Sequence, residues 1–97
     1  MKFEWNPAKN EANIAKHGID FTEAEALFEG DLYARRDTRK DYGEERWQGV
    51  GELLGRVLVV VWTDRSPDRR RIISLRRANE RERQTYRKAV EDGLGKG

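Results

Sequence analysis

The longest apolar run, Val57-Leu58-Val59-Val60-Val61-Trp62, carries no charge that would give it a solvent face. Its length and β-branched content predict a buried central strand. The segments flanking it alternate. From Arg46 to Leu54, Trp47 and Leu53 fall on one side and Arg46, Gln48 and Glu52 on the other. From Arg71 to Arg76, Arg71, Ile73 and Leu75 point one way, with Ile72, Ser74 and Arg76 opposite. Turn chemistry at Gly55-Arg56 and through Thr63-Asp64-Arg65-Ser66-Pro67-Asp68 joins the three runs into an antiparallel meander. Gly49 and Gly51 weaken the first strand and mark a bulge or a close backbone approach.

The remaining segments switch to helical spacing. Lys2 to Trp5 predict a short edge strand with Phe3 and Trp5 on the same side, and Asn6-Pro7 then opens a helix running to about Lys16. Ala8, Ala12 and Ala15 share a face that would let this helix approach the sheet, and His17-Gly18 ends it. Overlapping capping boxes at Asp20/Glu23 and Thr22/Glu25 open a second helix with the apolar stripe Phe21, Ala24, Leu27 and Phe28. A strand around Leu32-Tyr33-Ala34 leads into a charged loop reaching Gly43. Asn79 and Glu82 form a capping box for a last helix ending near Glu91 or Asp92, with Glu82 inward between Ala78, Tyr86 and Ala89, placed to cap or to hold a neighbouring arginine. The order β-α-α-β-β-β-β-α describes an α+β fold, an antiparallel sheet with helices on one face. It forms one domain over residues 1–92, with a flexible glycine-rich tail at 93–97.

Charge adds a polarity that the hydrophobic pattern does not show. The net charge is only +2, yet residues 65–88 hold 10 basic and 3 acidic side chains, whereas residues 1–64 hold 9 basic and 13 acidic. The last strand and helix therefore create a local positive field suited to phosphates or to an acidic partner. With no cysteine and one histidine, thiolate nucleophiles, disulfides and Cys- or His-rich metal sites are excluded, and no cofactor is indicated. Neither a transmembrane run nor the apolar core of a signal peptide is present, so the expected place of action is the cytoplasm.

The opening Phe3-Glu4-Trp5-Asn6-Pro7-Ala8-Lys9, the segment ending Lys16-His17-Gly18, the run Gly43-Glu44-Glu45-Arg46 and the strand Arg71-Ile72-Ile73-Ser74-Leu75-Arg76-Arg77-Ala78 together resemble the BrnT family of bacterial toxins. Asn6 stands where that family usually has Asp, and Leu75 where it usually has Ala. The resemblance implies a RelE-like fold and ribonuclease activity that stops translation. It also implies neutralisation by a cognate BrnA-type antitoxin, through which alone operator DNA would be contacted.

Without metal ligands, RNA cleavage runs through attack of a ribose 2′-hydroxyl on the adjacent phosphate, assisted by a base, a cation and an acid. Arginine suits the charged phosphorane because its planar fork binds phosphate oxygens bidentately. Arg76 and Arg46 on the polar sheet face are the expected cationic groups, and Glu45 and His17 the candidates for the base. Gln48, Arg71 and Arg77 are placed to hold RNA, and Tyr86 to stack a base or supply an acid. Each has a plainer role: His17 as a helix-end cation, Glu45 as a partner of Arg46, Tyr86 as core. A non-catalytic nucleic-acid-binding module and a protein-interaction domain with a basic face are the alternatives, separated from an enzyme by whether RNA acquires new ends.

Overall fold

The computed structural model describes residues 1–93, so all but the first residue of the expected glycine-rich tail lies outside the described residues. Its elements are β1 (Lys2–Glu4), α1 (Pro7–His17), α2 (Glu23–Glu29), β2 (Leu32–Arg36), β3 (Trp47–Leu53), β4 (Arg56–Ser66), β5 (Arg69–Arg77) and α3 (Glu80–Glu91). This is the predicted order. The sheet runs β1-β5-β4-β3-β2, with the apolar β4 at its centre and β3-β4-β5 forming the expected meander. β1 lies at the edge but pairs parallel to β5, so the sheet is mixed. A chain that leaves β1 through two helices and three strands reaches β5 from the far side and is free to run beside β1 in the same direction.

The helices do not share one face. α1 and α2 cover the side formed by Leu58, Val60, Trp62, Ile72 and Leu75, contributing Ala24 and Leu27, while Ile19 and Phe21 of their connection complete the cluster. α3 folds back over the other side, where Ala78 and Tyr86 meet Val50 and Val59. The reason lies in β4, whose apolar run buries alternate valines on both faces and so requires a cover on each. The face expected to be polar and open is thus partly closed by the last helix.

Two local features set the register. Val61 pairs with Ser74, but Trp62 pairs with Ile72, leaving Ile73 as an extra residue in β5. The bulge turns Ile72, not Ile73, into the α1/α2 core beside Leu75, while Arg76 keeps the face predicted for it. Gly49 and Gly51 mark close approach: a Cβ on Gly51 would lie 2.7 Å from Leu32 Cδ2, and one on Gly49 would lie 2.9 Å from the Trp62 ring.

α1 docks through polar residues. Ala8, Ala12 and Ala15, expected against the sheet, are exposed, and Asn13 is the buried residue of the helix. Its Nδ2 donates to Leu75 O at 2.7 Å and Ile19 O at 2.9 Å, and its Oδ1 accepts from Leu75 N–H at 3.3 Å. β1 pairs only with Arg69 to Arg71, so the carboxamide takes the place of a peptide group on β5 beyond the end of that edge strand. Asn10 continues the seam, donating to Asp20 and accepting from Phe21 N–H.

Candidate active site

A cleft of about 290 Å³ opens on the α3 side of the sheet. Its floor is Tyr33 and Arg35 of β2 with Gln48 and Val50 of β3, and its wall is Arg81, Glu82 and Thr85 of α3. The register explains the floor: Tyr33 pairs with Val50 and Arg35 with Gln48, so two cross-strand pairs point the same way. Helical spacing explains the wall, because Arg81 and Thr85 are four residues apart and lie one turn above each other.

Glu82 is the carboxylate lining this cleft. It closes the predicted capping box with Asn79 and also receives a two-pronged hydrogen bond from Arg76, with both contacts at 2.8 Å. Both roles anticipated for it, cap and arginine holder, are therefore filled by one side chain. The Arg76 fork, more than the Asn79 N–H, holds the Glu82 carboxyl below the usual carboxylate range, and Glu82 in turn raises Arg76. Arg39 lies within electrostatic reach of both. The Arg76 side chain is 30% exposed, and its two terminal nitrogens donate to Glu82 and one of them also to Arg77 O, so its guanidinium is fixed in orientation.

Ten of the arginines in the described residues make an ion pair with a carboxylate. Arg35 and Arg81 are not among them, and both line the cleft. They are the free guanidinium groups of this site, and neither was singled out from the sequence. Parity within β2 and the i, i+4 spacing in α3 carry the signal, but only once β2 is known to sit beside β3 under α3.

The other predicted residues are dispersed. Gln48 lies in the cleft floor. Arg46 pairs with Glu44 at 3.2 Å, not with Glu45, and its guanidinium stacks 4.1 Å from the Tyr42 ring centroid. Four residue steps and two strands separate it from Arg76, about 16 Å between backbones at standard strand spacings. Glu45 is exposed and pairs with Arg36 at 3.4 Å. His17 ends α1, which docks on the opposite side from α3, and it makes no side-chain hydrogen bond to the described residues. Arg71 is held by Glu4 at 3.0 Å. Arg77 is exposed at the end of β5. Tyr86 packs in the core against Val50, Val59 and Ala78, and burial pushes its hydroxyl up from the ordinary tyrosine value.

The loop between β2 and β3 has its own anchor. Buried Asp37 accepts three bonds from Arg39, two from its guanidinium and one from its backbone N–H, and one from the Tyr42 hydroxyl, and its own N–H donates to Arg46 O. Arg39 pulls the Asp37 carboxyl down to about 2. Among the described residues no three His, Cys, Asp or Glu side chains gather in a set that would hold a metal ion, and no helix is long and apolar enough to cross a membrane.

No curated protein sequence matches the chain. A solved structure does: the ribonuclease toxin BrnT of Brucella abortus is similar with a TM-score of 0.63 and 29% identity, over 82% of this chain and 99% of that one. The sequence model of one family, described as the ribonuclease toxin BrnT of type II toxin-antitoxin systems, matches residues 5–82, from the start of α1's approach to the Glu82 that lines the cleft. The chain belongs to the BrnT family of type II ribonuclease toxins.

Proposed function

We propose that this toxin cuts RNA in the cleft between β2, β3 and α3, without a metal ion, by attack of a ribose 2′-hydroxyl on the adjacent phosphate. The observation that carries this reading is the pairing of two free arginines, Arg35 and Arg81, with one ionised carboxylate, Glu82, around a single concavity. Arg35 and Arg81 bind the non-bridging oxygens of the phosphate and stabilise the phosphorane. Arg76 holds the Glu82 carboxylate in place and ionised. Glu82 accepts the 2′-hydroxyl proton as the 2′-oxygen bonds to phosphorus, and returns it to the 5′-oxygen as the P–O5′ bond breaks to leave a 2′,3′-cyclic phosphate. A carboxylate with a lowered pKa is a weak base, so the cationic groups carry most of the acceleration, about 2.7–4 kcal/mol for a positioned donor. Gln48 offers an amide to a base or sugar, and Tyr33, an exposed aromatic side chain of the floor, a stacking surface.

The consequence in the cell is arrested translation in the cytoplasm. The neutralising partner is a BrnA-type antitoxin, and contact with operator DNA comes only through it. A chemical test separates this route from others. An RNA with one 2′-deoxy nucleotide just before the cut position resists cleavage there, and the unmodified RNA yields a 2′,3′-cyclic phosphate or 3′-phosphate end. Cleavage at the deoxy position, or a 3′-hydroxyl end, rules the 2′-hydroxyl route out.

A further inference from the structure

Outside the cleft, the two remaining arginines without an ion pair among the described residues are Arg77 and Arg87, and they meet at one place. A depression of about 190 Å³ is lined by Gly55, Arg56, Val57, Arg77, Arg83 and Arg87. Its arginines come from three elements. Arg56 opens β4 directly after the Leu54-Gly55 turn, Arg77 closes β5 opposite Leu58, and Arg83 and Arg87 stand one turn apart on α3. Glu23 holds Arg56, and Glu80 holds Arg83 while lying within electrostatic reach of Arg87. Four cations against two carboxylates leave an excess of two positive charges.

We propose that Arg56, Arg77, Arg83 and Arg87 form a second phosphate-binding site, which takes the RNA backbone on the far side of α3 from the cleft. Elsewhere in the described residues an arginine either meets a carboxylate or lines the cleft. Gathering like charges at i, i+4 is otherwise unfavourable by a few tenths of a kcal/mol, a cost that a bound anion reverses. Arginine in place of lysine suits phosphate, whose oxygens accept both prongs of the guanidinium fork. The placement suits a long polymer with a charge on every unit, such as RNA: Arg81 faces the cleft and Arg87 faces the depression, so one strand crossing α3 engages both. The site presupposes RNA as the bound polymer, as above, but not that RNA is cut.

The test is anisotropy of a labelled 2′-O-methyl RNA, which cannot react through its 2′-oxygen, with the full chain over a range of salt. Wild type is compared with Arg77→Gln/Arg87→Gln and with Lys2→Gln/Lys9→Gln, which removes the same charge from exposed positions elsewhere. Loss of two phosphate contacts flattens the slope of log K against log salt by about 1.4 in the arginine variant, and the lysine control keeps the wild-type slope. Should the double variant unfold by circular dichroism, Arg87→Gln alone, at an exposed helix position, flattens it by about 0.7. Equal slopes in the arginine variant and the lysine control overturn the site. A flattened slope, with no cleavage when wild type is given the unmodified RNA of the same sequence, leaves this site standing and removes the ribonuclease reading of the cleft.

Discussion

Asn13 joins α1 to the strand that carries Arg76, and its removal is a quantitative test of how that strand is held. Asn13→Ala deletes two donated hydrogen bonds and one accepted one, and leaves Leu75 N–H, Leu75 O and Ile19 O without these partners. At about 1 kcal/mol net for each bond, the loss is about 3 kcal/mol. For a domain of this size that lowers Tm by about 12–24 °C, at about 4–8 °C per kcal/mol. Asn13→Asp refines the test. At neutral pH its carboxylate still accepts from Leu75 N–H but faces two carbonyl oxygens, so it destabilises at least as much as Ala. Those carbonyls favour the protonated form and raise the folded-state pKa above the unfolded value. The folded protein then binds the proton more tightly, so the stability regained is fully present below the unfolded pKa and is lost as pH rises through the folded one. Urea unfolding of wild type and both variants between pH 7 and pH 4 reads the difference directly. The Asp variant should recover relative to wild type on acidification, and the Ala variant should not. A loss below about 1 kcal/mol in Asn13→Ala, or an Asp deficit that does not change with pH, refutes the carboxamide-as-peptide account.

Two further perturbations test other parts of the fold. Asp37 has a depressed folded-state pKa of about 2, so its contribution is present above the ordinary carboxylate range and lost as pH falls through about 2. Asp37→Asn therefore costs about 1 kcal/mol at neutral pH, the exposed Arg39 being screened by solvent, and the gap to wild type closes in acid unfolding curves. Gly51→Ala forces a Cβ against Leu32 and Leu27 side chains and the Asp31 carbonyl, and destabilises by about 1–3 kcal/mol in urea unfolding.

Much of the fold was legible because local signals agreed. The Val57 to Trp62 run marked the central strand and Asn79 with Glu82 the start of α3, both as found, while Gly49 and Gly51, read as a bulge or a close backbone approach, mark a close approach by the Trp62 and Leu32 side chains. What failed depended on tertiary partners. Alternation could not foresee the extra residue at Ile73, because a bulge is decided by the pairing of Trp62 with Ile72. Apolarity could not identify Asn13 as the buried residue of α1, since its burial is stabilised by backbone groups 62 positions away. The site was half legible for the same reason. The positive last strand and helix and the inward Glu82 were visible, but ion pairs decide which arginines remain free, and Arg46 and Arg71 turned out to be held by Glu44 and Glu4.

The most direct test of the cleft as the catalytic site is cleavage of labelled RNA in excess chelator by wild type and by Arg81→Gln. Arg81 is exposed and makes no ion pair among the described residues, so its loss leaves the fold intact. The prediction is cleavage of RNA but not of DNA by wild type, with the rate lowered by about 100-fold or more in the variant. A wild-type rate from folded Arg81→Gln, or activity that chelator abolishes, would contradict the account.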